Sequence, residues 1–286
     1  MPATPLLPFT GIAKQLKRGV AAEVRAVFND RERRETPVQR SDHAMFARDS
    51  VLWRVHGDVT TMMVGGVAAL LLQMLHPAVL AGVWDHSNFR KDMLGRLRRT
   101  ARFIAMTSYA SRGEAEAAIA RVRRIHDHVR GELPDGTPYT ANDPQLLAWV
   151  HVTEAVSFLD GWIRYAEPRM SAADQDRYFA DIARIGVALG ADPVPATRAE
   201  AEALIVRMRP QLRADERTRE VARIVLNQQP RSIATAPVQA LTFGAAIDLL
   251  PGWARRMHDL PNPTVARPLL RVGTAGIART LRWAFS

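Results

Sequence analysis

The 286-residue chain contains no cysteine. That absence excludes disulfides, thiolate metal sites, a cysteine nucleophile and a haem attached through a CxxCH motif. Any metal must therefore rest on His, Asp or Glu. Lysine is almost missing as well: Lys14, Lys17 and Lys91 are the only ones among 39 basic residues, so the formal charge of +10 is carried by arginine. Such a skew fits a GC-rich coding sequence. It does not by itself point to nucleic acid, because no basic cluster interleaved with exposed aromatics and no nucleic-acid-binding motif accompanies it. There is also no GxSxG, no P-loop, no GxGxxG after a strand and no HExxH. The N-terminal "MPATPLLPFTGIAKQLKRG" puts its charges after a short apolar stretch and lacks a long h-region, unlike a signal peptide. A cytoplasmic location is the expectation.

At 47% hydrophobic residues the chain is long and apolar enough to bury a sizeable core. Helical periodicity dominates, with no alternating strand pattern and no internal repeat. The expected class is all-α, a single multi-helix globular domain over residues 41–250, with an N-terminal extension (1–40) and a basic C-terminal helical tail (251–286) packed on it. The stretch from Thr60 to Trp84 carries no charge over a membrane-span length, but Gln73, His76 and Pro77 interrupt it. It reads as a buried central helix ending near His76, followed by a second helix or turn. Leu94, Leu97, Ala101 and Ile104 recur at helical spacing and define a core stripe, with Arg96 and Thr100 on the adjacent one. Asp143 before Pro144 caps a very apolar helix, and Ser171 with Asp174 and Thr197 with Glu200 read as capping boxes. The tail from Gly252 to Ser286 has six arginines against one aspartate, alongside Leu269, Leu270, Ile277, Leu281, Trp283 and Phe285. Two readings stand for it: an ordinary helix with its arginines in water, or a peripheral contact with an anionic membrane surface.

Two histidines fall in "RVRRIHDHVRG", residues 121 to 131. On a helix of about 100° per residue centred on Val122, the positions Ala118, Ile119, Ile125 and Val129 lie within about 60°, and His126 is about 40° away. His128 falls about 120° away, with Arg121, Arg124 and Asp127. His126 is thus presented to the interior and His128 to water. A buried neutral imidazole serves either as a satisfied core group or as a metal ligand. His151 and Glu154, three apart on the most apolar helix, share a face; they could form a buried hydrogen bond or help hold a non-haem metal, although no second Glu-x-x-His copy accompanies them.

The ordered string "HP…DHS…RLRRT…HDHVRG…DG…Y…DP…WVH", from Leu70 to Leu159, resembles the catalytic domain shared by bacterial rubber oxygenases (latex-clearing proteins) and the fungal membrane-bound oxygenase of mycophenolic acid biosynthesis. The resemblance implies an all-helical protein binding haem b (iron) without covalent attachment. It implies an oxygenase that uses dioxygen on a lipophilic, isoprenoid or other olefinic small molecule, with no nucleic acid as partner. His126 takes the place of the proximal iron ligand, and His151 joins the cofactor-binding set. Arg96, Arg99 and Thr100 match the family's Arg-x-x-Lys-Thr motif, with Arg96 and Thr100 suited to a haem propionate. Arg99 stands where rubber-cleaving enzymes carry a lysine able to cap iron; arginine stays protonated and is a poor iron ligand. Where those enzymes carry a catalytic glutamate, this chain offers Asp85 and His86. Other classes remain beside the oxygenase: a haem sensor or carrier without turnover, a non-haem metal enzyme at His151 and Glu154, and a helical scaffold without cofactor.

Overall fold

The computed structural model describes residues 36–230, 233, 235–262 and 267–285. Most of the N-terminal extension expected over 1–40 therefore lies outside the described residues. Among the described residues twelve α-helices and one two-stranded hairpin form the domain. The all-α expectation holds, and the hairpin is its one exception.

The centre is a pair of helices, α2 (Val59–Gln73) and α6 (Pro144–Tyr165). Both are apolar nearly all round and bury most of their residues. Two glycines let their backbones approach: a Cβ on Gly65 would sit 2.7 Å from the Ser157 carbonyl oxygen, and one on Gly161 would sit 3.0 Å from that of Thr61. Asp58 caps α2 by accepting from the Thr61 N–H, and Asp143 caps α6 by accepting from Gln145 and Leu146, with Pro144 in the first turn as expected.

The uncharged run from Thr60 to Trp84 is broken as its proline predicts. α2 ends at Gln73, Pro77 opens α3 (Pro77–His86), and the two axes meet at 104°. Among the described residues no single helix is long and apolar enough to cross a membrane.

α1 (Val51–His56), α4 (Met93–Tyr109), α5 (Arg112–His126) and α7 (Ala172–Leu189) surround one flank of this pair. The expected core stripe of α4 holds in part: Leu97 and Ile104 pack half-buried against the core, Leu94 and Ala101 are half-buried without joining it, and the fully buried positions are Met93, Gly95, Thr107 and Ser108. The helix is most deeply buried at its ends, packs chiefly on α5 and α1, and keeps its middle half-buried. At Ser111 and Glu114 a reciprocal capping box opens α5. Ser171 and Thr197 do cap α7 and α8 (Arg198–Met208), but neither pair is a reciprocal box: the Asp174 carboxylate accepts from Arg54 and Arg177, and Glu200 accepts from the Ala196 N–H and not from that of Thr197.

The turn-rich segment after α5 is a hairpin, β1 (Arg130–Glu132) antiparallel to β2 (Pro138–Thr140), with Gly136 at φ 84° in its turn. Its Tyr139 packs with Ala78 and Ala81 of α3 in a small satellite core. The chain continues through α9 (Glu216–Leu226), α10 (Ala236–Leu249), α11 (Gly252–Met257) and α12 (Arg267–Phe285). α12 packs on α10 and α2, so the C-terminal tail is part of the globule.

Candidate functional site

α5 ends at His126, and Asp127 and His128 form the turn that leads into the hairpin. The helical phase drawn through Val129 therefore stops one turn early. The face turned to the domain runs through Ala115, Ile119, Val122 and His126, while Ile125 is 52% exposed. That face is centred about 30° nearer His126 than Val122, which puts the imidazole close to its middle. His128 is exposed.

His126 is half-buried, and its Nδ1 is buried without a hydrogen-bond partner. Burial depresses its proton affinity and so does the charge of Arg96; Asn142 and Asp127 act in the other direction. The Asn142 amide is oriented by its own bonds: Nδ2 donates to the Arg123 carbonyl at 3.2 Å and to Asp127 Oδ1 at 2.7 Å. Its Oδ1 is then left buried and unsatisfied beside the imidazole. Sequence reasoning missed Asn142, whose one signal is its place just before the Asp143 cap that opens α6.

Arg96 stands on α4, close enough for its charge to act on His126. Desolvation, with the charge of Arg99, lowers its pKa to about 10. No carboxylate of a described residue pairs with this half-buried arginine. The pair is thus one imidazole with a free lone-pair position and one cation awaiting an anion. Such a set can hold a metal through a single nitrogen together with an acidic substituent of the ligand.

His151 is buried, and its ring lies against Gly186 of α7, where an added Cβ would meet Nε2 at 2.9 Å. Burial lowers its pKa to about 4. One turn on, Glu154 is surrounded by protein and its pKa is pushed up to about 7 by desolvation alone, yet it keeps part of its surface accessible. A carboxyl in that state can hold or release a proton near neutrality. The two do not bond to each other. Beyond them His56 bridges Ser108 at 2.8 Å and Tyr178 at 3.1 Å, wholly buried and held neutral. Nothing in "VLWRVHGDV" signals that network, since its partners lie 52 and 122 residues away.

The remaining candidates sit elsewhere. Asp85 is exposed and accepts a 2.9 Å hydrogen bond from the Tyr139 hydroxyl, and His86 Nε2 meets the Arg130 carbonyl at 3.1 Å, so both clamp the hairpin to α3. Arg99 is exposed and pairs with Asp92 at 3.3 Å. The Thr100 hydroxyl is exposed and donates to the Arg96 carbonyl of its own helix. Among the described residues no three His, Asp or Glu side chains converge on a common point, as a non-haem metal at His151 and Glu154 would require.

Residues 53–283 match the family described as ER-bound oxygenase mpaB/B'/Rubber oxygenase, catalytic domain, and the chain belongs to that family. Neither the curated proteins nor the solved structures contain a significant match.

Proposed function

We propose that this member of the rubber oxygenase and mpaB catalytic-domain family is a haem b-dependent oxygenase acting on a lipophilic, olefinic small molecule with dioxygen. Its family membership supports an oxygenase in general. The observation that carries the haem reading is the pairing of Arg96 with His126. A half-buried guanidinium without a carboxylate stands near an imidazole whose Nδ1 faces the Asn142 amide oxygen, which leaves Nε2 for a metal. A haem would use both, with iron at Nε2 and a propionate for the cation.

In this reading His126 would hold the iron. Asn142 Oδ1 would accept a hydrogen bond from Nδ1–H, which fixes the tautomer and leaves Nε2 as the metal donor. Arg96 neutralises a propionate. Thr100, whose hydroxyl proton is already given to its own helix, contributes less. The bound haem supplies the dioxygen chemistry. The chain supplies a desolvated interior, a half-buried apolar face on α4, and in Glu154 a carboxyl that exchanges a proton near neutrality. His151 stays neutral on the same helix face, held by packing on Gly186.

The test is an absorption spectrum of freshly purified protein, followed by oxygen uptake with polyisoprenoid and small olefinic substrates. A Soret band and substrate-dependent uptake are expected. A Soret band with a stable oxygen complex and no uptake would make the protein a carrier or sensor, and no haem after reconstitution would remove the reading.

A further inference from the structure

Most helices of this domain turn one apolar face inward, but α12 is apolar on two. Its inner side, Leu270, Thr274, Ile277, Ala278 and Leu281, packs on the domain. Its outer side runs through Leu269, Val272, Gly276, Arg279 and Trp283, all within about 60° of Val272 on a helical wheel. On that stripe Leu269 is 80% exposed, Val272 73% and Trp283 40%. Val238, on the neighbouring α10, and Ile233 are exposed as well. Five of the eight large hydrophobics exposed among the described residues thus lie between residues 233 and 283. Scattered singly they would need no explanation; three of them, Leu269, Val272 and Trp283, share one stripe of one helix.

The stripe faces outward because α12 is pinned from within. Asp248 has no side-chain exposure and takes Arg267 at 2.6 Å and Arg271 at 2.9 Å, besides Arg164. Asp58, nearly as buried, takes Arg282 at the other end of the helix. A helix held by two buried carboxylates cannot roll its outer side inward without stranding both charges. The surroundings are strongly cationic: Arg164, Arg267 and Arg271 share a single carboxylate, and Arg279 makes no ion pair with a described residue. From Gly252 to Ser286 one aspartate faces six arginines.

We propose that the outer stripe of α12 seats the protein on an anionic lipid bilayer, with Leu269, Val272 and Trp283 entering the interface and Arg279 and its neighbours meeting lipid phosphates. An apolar strip that carries Arg279 within it and has Arg271 and Arg282 along one border is the chemistry of an interfacial helix. A two-fold pairing of copies through the same stripe would instead press two cationic surfaces together.

Co-sedimentation with phosphatidylcholine vesicles, with and without phosphatidylglycerol, tests this directly. The wild-type chain is expected to sediment with the anionic vesicles, weakly with the neutral ones, and less at high salt. Leu269→Ser with Val272→Ser should weaken binding about tenfold or more, since two apolar side chains no longer leave water. Arg279→Glu should weaken it separately, and serves if the double variant folds poorly. Absence of wild-type binding, or unchanged binding in both variants, overturns the proposal. So does a wild-type dimer, blind to vesicles, that the double variant turns into a monomer. Vesicle binding is read without haem or substrate, so its failure leaves the oxygenase reading untouched.

Discussion

Asn142 Oδ1 and His126 Nδ1 are two buried, unsatisfied atoms on neighbouring side chains, one an acceptor and the other able to donate. The Asn142 amide cannot turn away without losing its bonds to the Arg123 carbonyl and Asp127. An acceptor held towards the ring in this way favours the proton on Nδ1. Replacing Asn142 with Ala is expected to weaken haem retention by about 10- to 100-fold, the usual cost of removing a partner that orients a metal-bound histidine. Haem titration of the apoprotein measures it. Affinity equal to that of the wild type would show that Asn142 does not orient the ring.

His126→Ala is expected to give a folded protein that has lost its Soret band or shows a changed ligation spectrum, without oxygenase activity. His128→Ala should keep both, because that side chain lies exposed in the turn beyond the helix. If the spectrum survives His126→Ala and collapses with His151→Ala, the iron belongs on α6.

Arg96→Ala should lower haem affinity by roughly tenfold or more, the worth of a hydrogen bond to a charged group. The apoprotein should lose little stability, since this half-buried guanidinium holds no carboxylate whose pairing would be lost. Thermal melts of the apoprotein and haem titrations separate the two effects. Arg99→Ala, at an exposed surface pair, should leave both nearly unchanged.

Glu154 makes stability depend on pH in a defined direction. Its folded pKa of about 7 lies above the ordinary 4.5, so the folded chain holds a proton that the unfolded chain has released. Stability from this group is full below the lower value and falls as pH rises through the higher one, by up to about 3 kcal/mol. Glu154→Gln removes that slope, and the variant should gain on the wild type as pH is raised from about 5 to about 8. His151, whose depressed pKa acts in the opposite sense at lower pH, is common to both proteins and cancels in the difference. Denaturant melts showing a constant difference would contradict a desolvated Glu154.

Gly65→Ala should cost about 1–3 kcal/mol, because its Cβ would meet the Ser157 carbonyl oxygen at 2.7 Å and the Phe158 Cα at 2.9 Å, backbone atoms that cannot step aside. Gly113→Ala, with nothing within 4 Å, should be neutral or slightly stabilising. Paired chemical melts of the two variants make the comparison.

Legible in the residue string were the helices, the caps at Asp143, Ser171 and Thr197, the break at Pro77 and the inward direction of His126. Each depends on contacts within about one helical turn, and such contacts leave a period or a cap in the residue string. The order of short motifs from Leu70 to Leu159 also carried the family. Packing between helices settles that α4 keeps a half-buried middle, that Arg96 is half-buried without a carboxylate, and that Asn142 faces His126. It alone brought Arg282 to Asp58 across 224 residues and Arg271 to Asp248 across 23. No local pattern announces pairs of this kind, because which buried charge meets which cation is settled by how the helices stack. The outward stripe of α12 follows from the same ion pairs: the wheel shows two apolar faces, and the buried carboxylates choose which one meets the solvent.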